Sequence, residues 1–76
     1  MSLTKRDQEI LDYIKSHMKN NGVTPTIREI GKGVWLSRQT VQYHMDRLKI
    51  EGEIIPVGST RYRVKGMEYV DRETES

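Results

Sequence analysis

Residues 22–52 read GVTPTIREIGKGVWLSRQTVQYHMDRLKIEG, and they predict two short helices joined by a tight turn. Gly22 supplies the left-handed residue that closes a preceding helix, and Val23-Thr24-Pro25 is extended, because the residue before a proline is pushed out of the helical region. Thr26-Ile27-Arg28-Glu29 is a full Thr-x-x-Glu capping box, so a helix is expected from Ile27 to about Lys32 with Ile27 and Ile30 turned inward. Gly31 and Gly33 weaken this helix and help to stop it. Ser37 is the next cap, preceded by Val34-Trp35-Leu36 and followed by a helix from Arg38 to about Glu51. Its apolar stripe is Val41, Met45 and Leu48, with Gly52 as terminator. The opposite face displays Arg38, Gln39, Gln42, Tyr43 and Arg47, a surface well supplied with hydrogen-bond donors.

On the N-terminal side, Ile10, Leu11, Ile14 and Met18 recur at the spacing of an amphipathic helix, predicted from about Lys5 to Asn20. Thr4, with Asp7 three residues on, approximates a capping box at its start. On the C-terminal side the period changes to two. Ile54, Ile55 and Val57 form a short strand in which Pro56 demands an edge or a bulge. Gly58-Ser59-Thr60 is a turn, and Arg61-Tyr62-Arg63-Val64-Lys65 alternates, with Tyr62 and Val64 toward the core and three cations outward. Residues 1–66 thus form one domain, and residues 67–76 an acidic, largely flexible tail in which Tyr69 and Val70 are candidate anchors.

Composition limits the function. A chain of 76 residues is one small domain that buries only ~60% of its unfolded surface, which leaves little room for a catalytic cavity beside a core. An enzyme is disfavoured, and Ser16, Ser37 and Ser59 have no base and oxyanion arrangement around them. There is no cysteine, which fits a reducing cytoplasm and excludes thiolate metal sites. Two histidines without cysteines or clustered acids make no metal site, and no cofactor is expected. No apolar run approaches the ~18 residues of a membrane span. The net charge of +2 conceals an uneven distribution: residues 1–66 carry twelve Lys/Arg against seven Asp/Glu, or +5, while residues 67–76 carry one against four, or −3. A basic body with a cationic hairpin points to a polyanionic partner.

Three helices followed by a two-stranded hairpin make a mainly α winged helix-turn-helix. Leu3-Thr4, the spacing of Gln8, Glu9 and Ile10, the run from Gly22 to Gly31, then Leu36-Ser37, Thr40-Val41, His44, Leu48 and Glu51-Gly52 resemble the N-terminal DNA-binding domain of the LexA repressor family. The resemblance covers roughly Leu3 to Val64, and Pro-Thr-Ile-Arg-Glu-Ile is its most specific part. It implies double-stranded DNA as partner, the third helix in the major groove and the hairpin wing along the phosphates, as in a bacterial or phage transcriptional repressor. It puts Ser37, Gln39, Thr40, Gln42 and Tyr43 at or near the bases and Arg61 and Arg63 on the wing. The chemistry agrees: Gln suits adenine, Arg suits guanine or phosphate, and a threonine methyl can touch a thymine methyl. Arg38 at the positive end of the helix suits a phosphate or a base edge, Arg28 and Lys65 suit the phosphates, and Arg47 on the same polar face of the third helix is a further DNA-contact candidate.

Two departures from the family's pattern stand out. The turn before Ser37 is one residue shorter than in LexA repressors, and Trp35 stands where a turn glycine is usual. The family's second domain, with its serine-lysine self-cleavage dyad and dimer interface, has no counterpart in these 76 residues, so neither autoproteolysis nor dimerisation by that route is inferred. A domain this small is expected to need two copies on a palindromic site, or a partner, for tight binding. Trp35 is expected to plug the short turn, and His44 to be a partly buried structural histidine. The competing reading is a winged-helix protein-interaction module, such as an antirepressor or polymerase-binding factor, motivated by Trp35 and the acidic tail. That tail would compete with phosphate for the basic surface.

Overall fold

Thr4 and Asp7 open the first helix with a reciprocal capping box: the Asp7 amide donates to Thr4 Oγ1 (3.1 Å) and the Thr4 amide to Asp7 Oδ2 (3.0 Å). In the computed structural model, which describes residues 3–58 and 61–67, this helix, α1, spans Lys5–Asn21 and buries Ile10, Leu11, Ile14 and Met18. Gly22 ends it at φ 79°, its amide donating to the Met18 carbonyl at 2.8 Å.

The second helix, α2 (Ile27–Val34), starts on the expected Thr26/Glu29 box, with the Thr26 amide 2.8 Å from Glu29 Oε1. It runs two residues beyond the expected Lys32 because neither glycine stops it. Both serve close approach instead. A Cβ on Gly33 would lie 2.2 Å from the Tyr13 ring, and one on Gly31 would lie 2.8 Å from the Leu36 carbonyl oxygen. The left-handed residue that ends α2 is Trp35, at φ 62° and ψ 45°, a conformation that costs an L-residue roughly 1–2 kcal/mol.

Ser37 then caps α3 (Arg38–Ile50), accepting the Thr40 amide at 3.2 Å. Val41, Met45 and Leu48 close the core against α1 and α2. Glu51 caps its end one residue earlier than expected, with Gly52 at φ 79°. Strands β1 (Ile54–Val57) and β2 (Arg61–Val64) pair antiparallel, Ile54 opposite Val64 and Pro56 opposite Tyr62. In a two-stranded sheet every strand is an edge, so Pro56 is tolerated. Ile54, Tyr62 and Val64 are buried, while Ile55, Val57, Arg61 and Arg63 face outward. Tyr62 ties the wing to the body, its hydroxyl donating to the Pro25 carbonyl at 2.7 Å. Met67 packs against the core. The turn tip at 59–60 and the tail from residue 68, with Tyr69 and Val70, lie outside the described residues.

Candidate nucleic-acid interface

The outward face of α3 carries Arg38, Gln39, Gln42 and Tyr43, all exposed. Its first turn contains no acidic residue, so the positive end of the helix dipole is left open to an anion beside Arg38 and Gln39. Ser37 and Thr40 are engaged with each other: Ser37 Oγ takes the Thr40 amide and lies 2.9 Å from Thr40 Oγ1, to which it donates. The Thr40 side chain is half-buried. Tyr43 sets its ring edge-on to His44, 5.1 Å between centroids. The Gln42 amide donates to Asp46 Oδ1 at 3.0 Å, one turn along the same face.

Arg47 is placed differently from the sequence expectation. Instead of being displayed with Gln42 and Tyr43 it is turned inward, its Nε 2.9 Å from Asp7 Oδ2. The reason is Asp7, which is completely buried and also accepts from His44 Nδ1 at 2.6 Å. An ionised carboxylate can only accept, so the Nδ1 of His44 must carry the proton. Burial opposes ionisation of Asp7, but the hydrogen bonds from His44, the Thr4 backbone and Arg47 outweigh it and hold the carboxyl far below the usual range. One aspartate thereby caps α1 and fixes α3 against it. Sequence reasoning saw only the cap. The available signal was spacing: Asp7 lies three, four and seven residues before Ile10, Leu11 and Ile14, on the buried stripe of the helix. His44 is partly buried, as expected.

Trp35 overturns its expectation as well. It does not plug the turn but stands 90% exposed, because its left-handed backbone directs the side chain away from the core that Val34 and Leu36 pack against.

On the wing, Arg61 and Arg63 lie on the outer face opposite Val57 and Ile55, and Lys65 is exposed just beyond β2. Arg28 is exposed on the first turn of α2. Between α3 and the wing runs a groove of about 330 Å³, floored by Met45 and Tyr62 and edged by Gln42, Lys49 and Arg61. Burial pushes the Tyr62 phenol up, so it stays a neutral donor. Among the described residues no group of three or more His, Asp or Glu could hold a metal ion, and no helix is long and apolar enough to cross a membrane.

The model of the LexA DNA binding domain matches residues 1–62, which takes in all three helices and the wing as far as Tyr62. The chain belongs to the LexA DNA-binding domain family. LexA repressors of Bacillus thuringiensis (strain Al Hakam) and Bacillus anthracis are 42% identical to it over 77 aligned positions, covering 97% of this chain. The LexA repressor of Exiguobacterium sibiricum is 51% identical over 53 positions, covering 68% of this chain and 26% of that protein. The chain spans 37% of the length of the two Bacillus LexA repressors.

Proposed function

We propose that this LexA-type domain binds double-stranded DNA sequence-specifically as the DNA-reading part of a transcriptional repressor, with α3 in the major groove and the wing along the phosphates. The observation that carries the reading is the combination of the amide- and guanidinium-bearing face of α3, free of acid in its first turn, with a cationic wing beside it in the LexA fold. The relatives, named as LexA repressors, support the repressor assignment.

The contacts divide by chemistry. Gln39, Gln42 and Tyr43, with Ser37 and Thr40 at the helix start, meet base edges and set sequence preference. Arg28, Arg61, Arg63 and Lys65 meet phosphates and set salt-dependent affinity, and Arg38 at the helix N-terminus serves either group. Arg47 contributes through Asp7, by holding α3 in place. Two copies on a palindromic site provide the area that one small domain lacks.

Selection of bound sequences from random duplex DNA tests the assignment, and an enriched palindrome would support paired use. On the enriched duplex, Gln39→Ala is expected to weaken binding by ~1–3 kcal/mol with little effect on unselected DNA. Arg63→Ala is expected to weaken both and to flatten the slope of log affinity against log salt by about 0.9. If both variants bound like the parent at 100 mM salt, the reading face and wing would be misassigned.

A further inference from the structure

Asp46 is an anion on the face of α3 that carries Gln42, and it takes no part in the core packing. Its side chain is 59% exposed. Its Oδ1 accepts from Gln42 Nε2 at 3.0 Å and lies 3.9 Å from Lys49 Nζ. Gln42, Asp46 and Lys49 thus form a row at i, i+4 and i+7, beside the groove that separates α3 from the wing.

We propose that Asp46 is a specificity-positioning residue: it fixes the orientation of the Gln42 amide and with it the base that Gln42 prefers. The inference rests on α3 being the base-reading helix. A glutamine amide has two orientations of nearly equal shape, one with its oxygen and one with its NH2 toward a given neighbour. An ionised carboxylate only accepts hydrogen bonds, so Asp46 admits the orientation with NH2 toward itself and rejects the flipped one, which would set Oε1 against Oδ1. Of the two N–H groups one is then engaged, and one N–H together with Oε1 is left to face outward. That is the donor and acceptor pair matched by adenine, whose N7 accepts and whose N6 amino group donates. Guanine offers two acceptors on the same edge and leaves the glutamine oxygen unmatched. Lys49, next in the row, offsets the repulsion between Asp46 and the phosphates, so a carboxylate is tolerated on a surface that faces DNA.

The test uses duplexes of the sequence enriched from a random pool, together with single base-pair variants of it. Wild type, Gln42→Ala, Asp46→Ala and Asp46→Asn are compared, each first confirmed as folded by circular dichroism. Gln42→Ala identifies the base pair that Gln42 reads, an A·T pair, by lowering discrimination there roughly 5- to 100-fold. Asp46→Ala is expected to lower discrimination at that same pair roughly two- to fivefold, and Asp46→Asn, whose own amide can turn to present NH2 and so admits either orientation of Gln42, is expected to lower it by a comparable factor. Both Asp46 variants lose a negative charge and bind unselected duplex more tightly to a similar extent. If Asp46→Ala keeps wild-type discrimination at the pair that Gln42→Ala relaxes, the positioning role is refuted and the reading helix stands. An equal loss of discrimination at base pairs that Gln42→Ala leaves unchanged would also refute it, since charge alone would then be responsible. If Gln42→Ala changes preference at no pair, base reading by Gln42 fails and the positioning role with it.

Discussion

Replacing Asp7 with Asn removes one negative charge from a site that has no exposure to water and leaves His44 and Arg47 facing a group that can no longer attract both. Breaking a buried ion pair by removing one partner costs ~3–5 kcal/mol. Here the Arg47 side chain is 30% exposed, so water recovers part of that loss and the expected destabilisation is about 2–3 kcal/mol. A 76-residue domain has ~4–11 kcal/mol of stability in all, and about 4–8 °C of melting temperature corresponds to each kcal/mol at this size, so Asp7→Asn is expected to melt roughly 8–24 °C lower. The pH dependence follows from the direction of the shift. Asp7 is held far below the usual carboxyl range in the folded state, so its contribution is fully present above the unfolded value of about 3.9 and is lost progressively as pH falls through that value toward the folded one. Asp7→Asn lacks this titration. Thermal melts followed by far-ultraviolet circular dichroism should show the widest gap between the two proteins above about pH 5, narrowing steadily toward pH 2. A gap below about 1 kcal/mol at pH 7, or one that does not narrow in acid, would refute the account of Asp7 as an ionised hub.

Two stability predictions run against residue stereotypes. Trp35→Gly is expected to stabilise the domain by about 0.5–1 kcal/mol in urea denaturation, because glycine adopts φ 62° without strain and a side chain 90% exposed contributes little burial. A loss above about 1 kcal/mol would mean that the indole packs on something the turn needs. Gly31→Ala is expected to destabilise by about 1–2 kcal/mol, although alanine is the better helix former, since the new Cβ would sit 2.8 Å from the Leu36 backbone oxygen and force the α2–α3 turn apart. Stabilisation by this variant would show that the turn can give way freely.

Much of the architecture was legible in the chain, because it depends on local chemistry. The boxes Thr4/Asp7 and Thr26/Glu29 and the Ser37 cap mark helix starts wherever they occur, and all three form as read. The period-two alternation of residues 61–65 placed Tyr62 and Val64 inward, as found. Three features misread from local rules have tertiary causes. Gly31 and Gly33 look like helix breakers, yet α2 runs through both because Leu36 and the Tyr13 ring take the space that a side chain would fill. Trp35 looks like a plug over the turn, yet it takes the turn's left-handed position and its side chain is carried outward. Arg47 shares a helical wheel with the displayed residues but is claimed by Asp7, forty residues away in sequence.

The sequence by itself therefore determined the three helices, the wing, the core and the basic face, since caps, periodicity and charge act over a few residues. Only the tertiary structure decided which polar groups of that face remain outward, because this depends on partners brought together by folding. Asp7 removes Arg47 and half-hides His44, Pro25 anchors the wing through Tyr62, and the packing of α3 against α1 leaves Arg38, Gln39, Gln42 and Tyr43 exposed.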